Sequence, residues 1–152
     1  MQDKLVVWKS KEVRAFLEKV HAQWGGSRKP DDAFISNNQG NVFLVTRDLA
    51  SIDWYKLWIS SAGMYIAEIH DERVRLSIEG SQLIGPSATK NMLEVDKETA
   101  MHWLKGHDIE AQGDFSGHVI VKFGKSYMGS GAYKEGKLLN HVPKSRRLPE
   151  QA

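Results

Sequence analysis

Apolar residues at Val13, Phe16, Leu17, Val20 and Trp24 recur at spacings of three and four, the period of one face of a helix. Ser10 stands where a helix cap belongs, and Gly25-Gly26 ends the run. Ser27 to Asn41 is polar, with Pro30, Asp31-Asp32 and Asn38-Gln39-Gly40, and reads as mostly loop around a brief Ala33-Phe34-Ile35. Val42 to Val45 reads as a strand. Leu49 to Leu57 admits two readings: Trp54, Tyr55 and Trp58 sit on a short helix or pack under a loop. Met64–Ile69 and Arg73–Ile78 form an expected hairpin across His70-Asp71-Glu72. In its second arm Val74, Leu76 and Ile78 alternate with Arg73, Arg75 and Ser77, as in a half-buried strand. Gly80, Gly85 and Pro86 close this half, so residues 1–86 are expected to be a small α/β module with one helix on a sheet.

The pattern restarts after Pro86. Leu93 to Val95 is a candidate strand, and Asp96 caps a helix over Lys97–Lys105 whose buried stripe is Ala100, Trp103 and Leu104, ended by Gly106. Glu98 in its first turn and Lys105 in its last suit the helix dipole. His118–Phe123, Tyr127–Tyr133 and Leu138–Val142 then follow as short strands joined by Gly124-Lys125-Ser126 and Lys134-Glu135-Gly136, which suggests a small barrel over residues 87–150. Gly129-Ser130-Gly131 inside a strand weakens it, which makes sense at a sharp bend or where another backbone comes close.

Composition narrows the chemistry more than the fold. The 152 residues contain no cysteine, which removes disulfides, thiolate nucleophiles and cysteine-bound zinc. No apolar run approaches the roughly 20 residues that span a bilayer, and the first residues do not read as a signal peptide, so a soluble cytoplasmic protein is expected. Net charge is only +2, but it is unevenly spread: residues 1–85 hold 11 basic and 11 acidic residues, whereas residues 122–147 hold 7 basic and 1 acidic. Such a sign-biased segment in a neutral chain fits a nucleic-acid footprint.

Catalytic patterns are missing. There is no Gly-x-Gly-x-x-Gly. Phe123-Gly124-Lys125-Ser126 ends like a phosphate loop, but Val119 stands where its first glycine is required. The six histidines, at 21, 70, 102, 107, 118 and 141, show no metal-ligand spacing. Glu68, Asp71 and Glu72 read as solvated hairpin residues. No metal and no cofactor is therefore expected. The basic segment is better organised: Lys122, Lys125, Lys134, Lys137, Lys144, Arg146 and Arg147 alternate with Phe123, Tyr127, Tyr133, Asn140 and His141. Cations neutralise phosphates, rings stack on unpaired bases, and an asparagine reads a base edge or a 2′-hydroxyl. The aromatics fit barrel core or rim equally well.

Leu93-Glu94-Val95-Asp96, then Trp103-Leu104-Lys105-Gly106-His107-Asp108-Ile109, resembles the opening of a PUA domain. His118 to Gly124, followed by Met128-Gly129-Ser130-Gly131, is similar to the later strands of that family. Gly136-Lys137-Leu138-Leu139-Asn140-His141-Val142-Pro143-Lys144 resembles the RNA-binding region of Nol/Sun-type RNA cytosine-C5 methyltransferases and of their stand-alone archaeal relatives. The stretch from Gly63-Met64-Tyr65 through Arg75 to Gly85 looks like the small α/β module that precedes PUA in those proteins. The resemblance covers roughly residues 40–148.

It implies an α+β protein, a pre-PUA module packed on a six-stranded pseudobarrel, that binds tRNA or ribosomal RNA. Carried onto this chain, the family's contact surface falls on Lys90, Lys105, Gly106 and His107 on one side and on Asn140, Lys144, Arg146 and Arg147 on the other. The methyltransferases' catalytic domain has no counterpart here, and without cysteine there is no nucleophile for cytosine C5, so methyl transfer by this chain alone is not expected. Two functions lead, with an unrecognised enzyme as the remainder. One is a non-catalytic RNA-binding protein acting as an assembly factor or as the RNA-gripping accessory of a modification enzyme, with an RNA methyltransferase or ribosome-assembly protein as partner. The other is a protein-interaction domain that keeps the fold and lacks RNA affinity.

Overall fold

The structure, a computed structural model, describes residues 4–26, 29–51 and 63–152. Trp54, Tyr55 and Trp58, whose environment the sequence left open, lie outside the described residues.

Among the described residues, two five-stranded sheets organise a mixed α+β chain. The first is a meander of antiparallel strands: β1 (Val6–Val7), β2 (Ala33–Ser36), β3 (Asn41–Val45), β4 (Met64–His70) and β5 (Arg73–Leu76), in that spatial order. The second has the order β6 (Met92–Glu94), β8 (His118–Phe123), β9 (Ser126–Lys134), β10 (Lys137–Leu139), β7 (Ile109–Glu110). Only β6 and β8 run parallel, and helix α3 (Lys97–Leu104) and β7 lie between them in sequence. The second sheet has five strands rather than the six expected, with β6 and β7 at its edges.

Helix α1 (Ser10–Trp24) takes the range that its apolar period predicts and ends at Gly25, which has φ +81. Its cap differs from the expectation. Ser10 is already helical, the cap position is Lys9, and the Glu12 carboxylate reaches back to accept from the Lys9 backbone N–H at 3.0 Å. Phe16, Val20 and Trp24 pack on Phe34, Val42, Leu44, Ile66 and Leu76 of the first sheet, and the same cluster takes in Ile120 of the second. Leu5, Ile35, Phe43 and Val45 are buried on the opposite sheet face, as the two-residue period requires. A second core gathers Trp103, Val119, Val121, Met128 and Leu138 under α3. Burying each such side chain fully is worth about 1.5–3 kcal/mol before entropy is counted.

Three local readings are corrected. Ala33–Ser36 is a full strand paired on both sides, by β1 and β3, because Phe34 and Ile35 are buried on opposite faces. The hairpin's second arm stops at Leu76. Ile78 belongs instead to helix α2 (Ile78–Ile84), because the Ser77 hydroxyl accepts from the Gly80 N–H at 3.0 Å and starts a helix there. The last strand stops at Leu139 rather than running to Val142, because beyond it the Asn140 side chain takes over the bonding of the backbone.

Helix α2 stitches the sheets together. Gly80 lies so close to the Ile66 carbonyl that a Cβ would sit 1.9 Å from the oxygen, and the Ser81 hydroxyl accepts from the Gly129 N–H at 2.8 Å. Ser130, buried in β9, both accepts from the Leu76 N–H and donates to the Leu76 carbonyl, each at 3.0 Å. The weak-strand glycines thus mark a close approach, as the sequence suggested: a Cβ on Gly131 would fall 2.6 Å from the Trp103 ring and 2.7 Å from the Leu139 carbonyl.

Candidate nucleic-acid interface

Asp96 begins the site by capping α3, its carboxylate accepting from the Thr99 N–H at 2.8 Å. The helix closes at Lys105, and Gly106 turns the chain with φ +96, a conformation that favours glycine. A side chain there would also have to displace Arg147. A Cβ on Gly106 would meet Cδ and Nε of Arg147 at 2.5 Å, because the Arg147 side chain lies across the turn. Arg147 Nε donates to the Val142 carbonyl at 2.9 Å, and the Leu148 N–H donates to the Leu104 carbonyl at 2.9 Å. Segment 142–148 is therefore laid over the end of α3 by local hydrogen bonds.

Asn140 ties the same turn from inside. Its amide donates to the carbonyls of Trp103 (2.7 Å) and His107 (3.0 Å), and its oxygen accepts from the Val142 N–H at 2.8 Å. Both amide protons of Asn140, which the sequence offered for a base edge or a 2′-hydroxyl, are engaged in ordering the helix end.

The remaining expected residues divide. His107 and Lys105 stand at the same turn, His107 with its imidazole 2.9 Å from the Glu150 carboxylate. Lys144 is exposed at the start of a single 3₁₀ turn, Lys144–Arg146, which Pro143 precedes. Arg146 is engaged elsewhere. Its guanidinium forks onto both oxygens of Glu79 at 2.9 and 2.7 Å, joining this segment to α2. The hydrogen bond from Arg146 holds the Glu79 carboxyl below the usual range and raises Arg146 in turn. Sequence reasoning missed Glu79, which sits 67 residues from its partner. Lys90 lies apart from this group, exposed where the end of α1 meets β6, its N–H donating to the Trp24 carbonyl.

A second set of nitrogen-rich side chains lies at the seam of the two sheets. Arg75 donates to Glu68 at 2.8 Å and stands 3.3 Å from His141 Nδ1, and the rings of His141 and His118 are 6.0 Å apart. Burial, then the charges of His141, Arg75 and Arg73, push His118 down to about 4. The one signal in sequence was the alternation that turned Arg73 and Arg75 away from the core. Among the described residues no group of three or more metal-ligating side chains stands together, and no helix is long and apolar enough to cross a membrane.

A tight helix end overlaid by a basic segment is what the resemblance to PUA domains led one to expect. Residues 90–148 match the methyltransferase RsmF PUA domain. The resemblance to PUA-domain proteins therefore holds for this PUA segment. Over 135 residues, 89% of this chain, the protein is 24% identical to ribosomal RNA small subunit methyltransferase F of Vibrio vulnificus strain YJ016. A similar protein of the same description in Aeromonas salmonicida strain A449 is 24% identical over 136 residues. The chain spans 28% of the length of each of these relatives.

Proposed function

We propose that this protein binds structured RNA, ribosomal RNA before tRNA, without carrying out catalysis itself, and serves an RNA methyltransferase or a ribosome-assembly step. The PUA match over residues 90–148 carries this reading, and the relatives' description as small-subunit ribosomal RNA methyltransferases favours ribosomal RNA. The matched residues are those of a PUA domain and the sequence holds no cysteine nucleophile, which supports an RNA-gripping role for them. In this reading residues 1–86 form a pre-PUA module and 87–150 a PUA-like barrel, and the protein works in the cytoplasm.

Lys105, His107, Lys144 and Arg147 form the contact surface, with Gly106 letting the RNA backbone approach and Lys90 extending it. Arg146 joins when phosphate replaces Glu79. Asn140 contributes by holding the turn in shape. The test is titration of purified small-subunit ribosomal RNA at several salt concentrations. Binding should weaken linearly in log salt, and Lys144, Arg146 and Arg147 changed together to alanine should lower that slope by roughly 2 to 3 units, at about 0.7–0.9 per phosphate. Salt-independent or absent binding by the folded wild-type protein would favour the protein-interaction reading instead.

A further inference from the structure

Arg73 and Arg75 stand two residues apart on β5, on the opposite face from the buried Val74 and Leu76. β5 is an edge strand of the first sheet and packs against β8 and β9 of the second. From across that seam come His118, which opens β8, and His141, just beyond β10, their rings 6.0 Å apart. Ala132, paired with His118 in the β8–β9 register, lines the same space. The result is an open groove that brings together the guanidinium groups of Arg73 and Arg75, the imidazoles of His118 and His141, and the side chains of Glu68, His70 and Asp71.

We propose that this groove holds a phosphodiester of a bound RNA strand, with Arg73 as its main ligand and His118 and Arg75 beside it. The proposal rests on the RNA-binding reading above and adds a second point of contact to it.

The charges facing the groove favour an anion at one end. On β4, Glu68 is matched by Arg75 at 2.8 Å. In the hairpin turn Asp71 faces His70, also of β4, at 3.4 Å. Arg73 makes no ion pair among the described residues, so all of its donors are available. Burial first, and then the charges of His141, Arg75 and Arg73, oppose the protonation of His118. At His141 the charges are mixed: Arg75 opposes protonation, while Asp108 and Glu68 favour it. The anion therefore belongs between Arg73 and His118. There a phosphate would accept from Arg73, offset the part of the lowering that neighbouring charge adds to burial, and ease His118 toward its protonated form, a second donor.

An extended occupant fits better than a small one. A neighbouring groove, lined by Lys19, Gln23, Gly117 and Glu72, meets the first at the shared residues Arg73 and His118. A strand could cross both. Lys19 is paired with Glu72, so the continuation is close to neutral and only the crossing point attracts charge.

The experiment uses the full chain, purified small-subunit ribosomal RNA, and Arg73→Gln, whose exposed side chain holds no structural bond among the described residues. Its affinity should fall about fivefold near physiological salt and its log–log salt slope by about 0.7–0.9, with an unchanged melting temperature. Arg75→Gln should do the same. It also loses the Glu68 and His141 contacts, so if it fails to fold, Arg73→Gln alone decides the matter. In parallel, the His118 ring proton is followed by NMR while ribosomal RNA or inorganic phosphate is added. RNA should shift His118 toward its protonated form and inorganic phosphate at equal phosphate concentration should not. Wild-type binding with salt dependence, but unchanged affinity and slope in folded Arg73→Gln, overturns the groove assignment and leaves the RNA reading standing. No binding by the wild type overturns that reading and the groove with it. An equal His118 response to inorganic phosphate makes the groove a small-anion pocket and overturns the strand assignment.

Discussion

The segment from Asn140 to Arg147 and the seam around Arg73 offer similar side chains in very different states. In the segment the cations are neighbours along the chain, yet folding engages two of them, and the neutral Asn140, internally. Arg146 is forked onto Glu79, Arg147 donates to the Val142 carbonyl, and Asn140 holds the end of α3. At the seam the groups come from three distant stretches, β5, the start of β8 and the residue after Asn140, and Arg73 keeps its donors free among the described residues. Density of charge along a sequence therefore does not measure what a ligand meets. What counts is the charge left once the fold has satisfied its own polar groups.

The largest test of this comparison is on the seam itself. Ser130→Ala removes a hydroxyl that serves both the N–H and the carbonyl of Leu76, leaving both buried without their partner. Stability should fall by about 1–3 kcal/mol in urea denaturation, the usual cost of orphaned buried groups. A neutral result would mean that the sheets are not fastened at that point.

Asn140→Ala asks whether the segment is structural or free. The loss of two carbonyl partners and of a bond to the Val142 N–H should cost about 1–2 kcal/mol, read by thermal melting. Unchanged stability with weakened RNA binding would return Asn140 to the role the sequence suggested.

Acid should weaken the seam. His118 is held down to about 4 and His141 is lowered too, first by burial in each case. A histidine lowered in the fold binds fewer protons folded than unfolded. Its neutral form therefore stabilises the protein above the ordinary value of 6.5, and that contribution is lost as pH falls from there toward about 4. With solvent screening of a partly exposed ring taken into account, the loss for His118 should be about 1–2 kcal/mol. His118→Gln should flatten the stability profile across that window, as followed by denaturation at stepped pH. An unaltered profile would assign the acid sensitivity to other groups.

The smallest stability effect is expected at the latch between α2 and Arg146. Glu79→Gln should cost at most about 1 kcal/mol, as exposed ion pairs do. It removes the competitor that phosphate must displace from Arg146, so RNA affinity should rise while the salt slope, which counts phosphates held in the complex, stays the same. Unchanged binding would keep Arg146 out of the RNA contact and leave it as a tie between the segment and α2.

Much of the local structure was legible before any coordinates. The stripe from Val13 to Trp24, the Asp96 cap, the Gly106 stop and the outer positions of Arg73 and Arg75 depend on near neighbours, and local periods and caps report those directly. The misreadings occur where a distant partner decides. Ala33–Ser36 is a strand because β1 and β3 flank it, and Ile78 is helical although it continues an alternating run.

By itself, then, the sequence determined the periods, the caps, the uneven charge and the likeness to PUA domains, because each is written in residues close together in the chain. Only the tertiary structure decided that Arg146 faces Glu79, that Asn140 serves carbonyls of the α3 turn, and that Arg73 and His118 share one groove. Those pairings join residues from about 30 to nearly 70 positions apart. Whether a charged or polar group is satisfied internally or left for a ligand depends on which surfaces the packed cores bring together, and no local pattern records that.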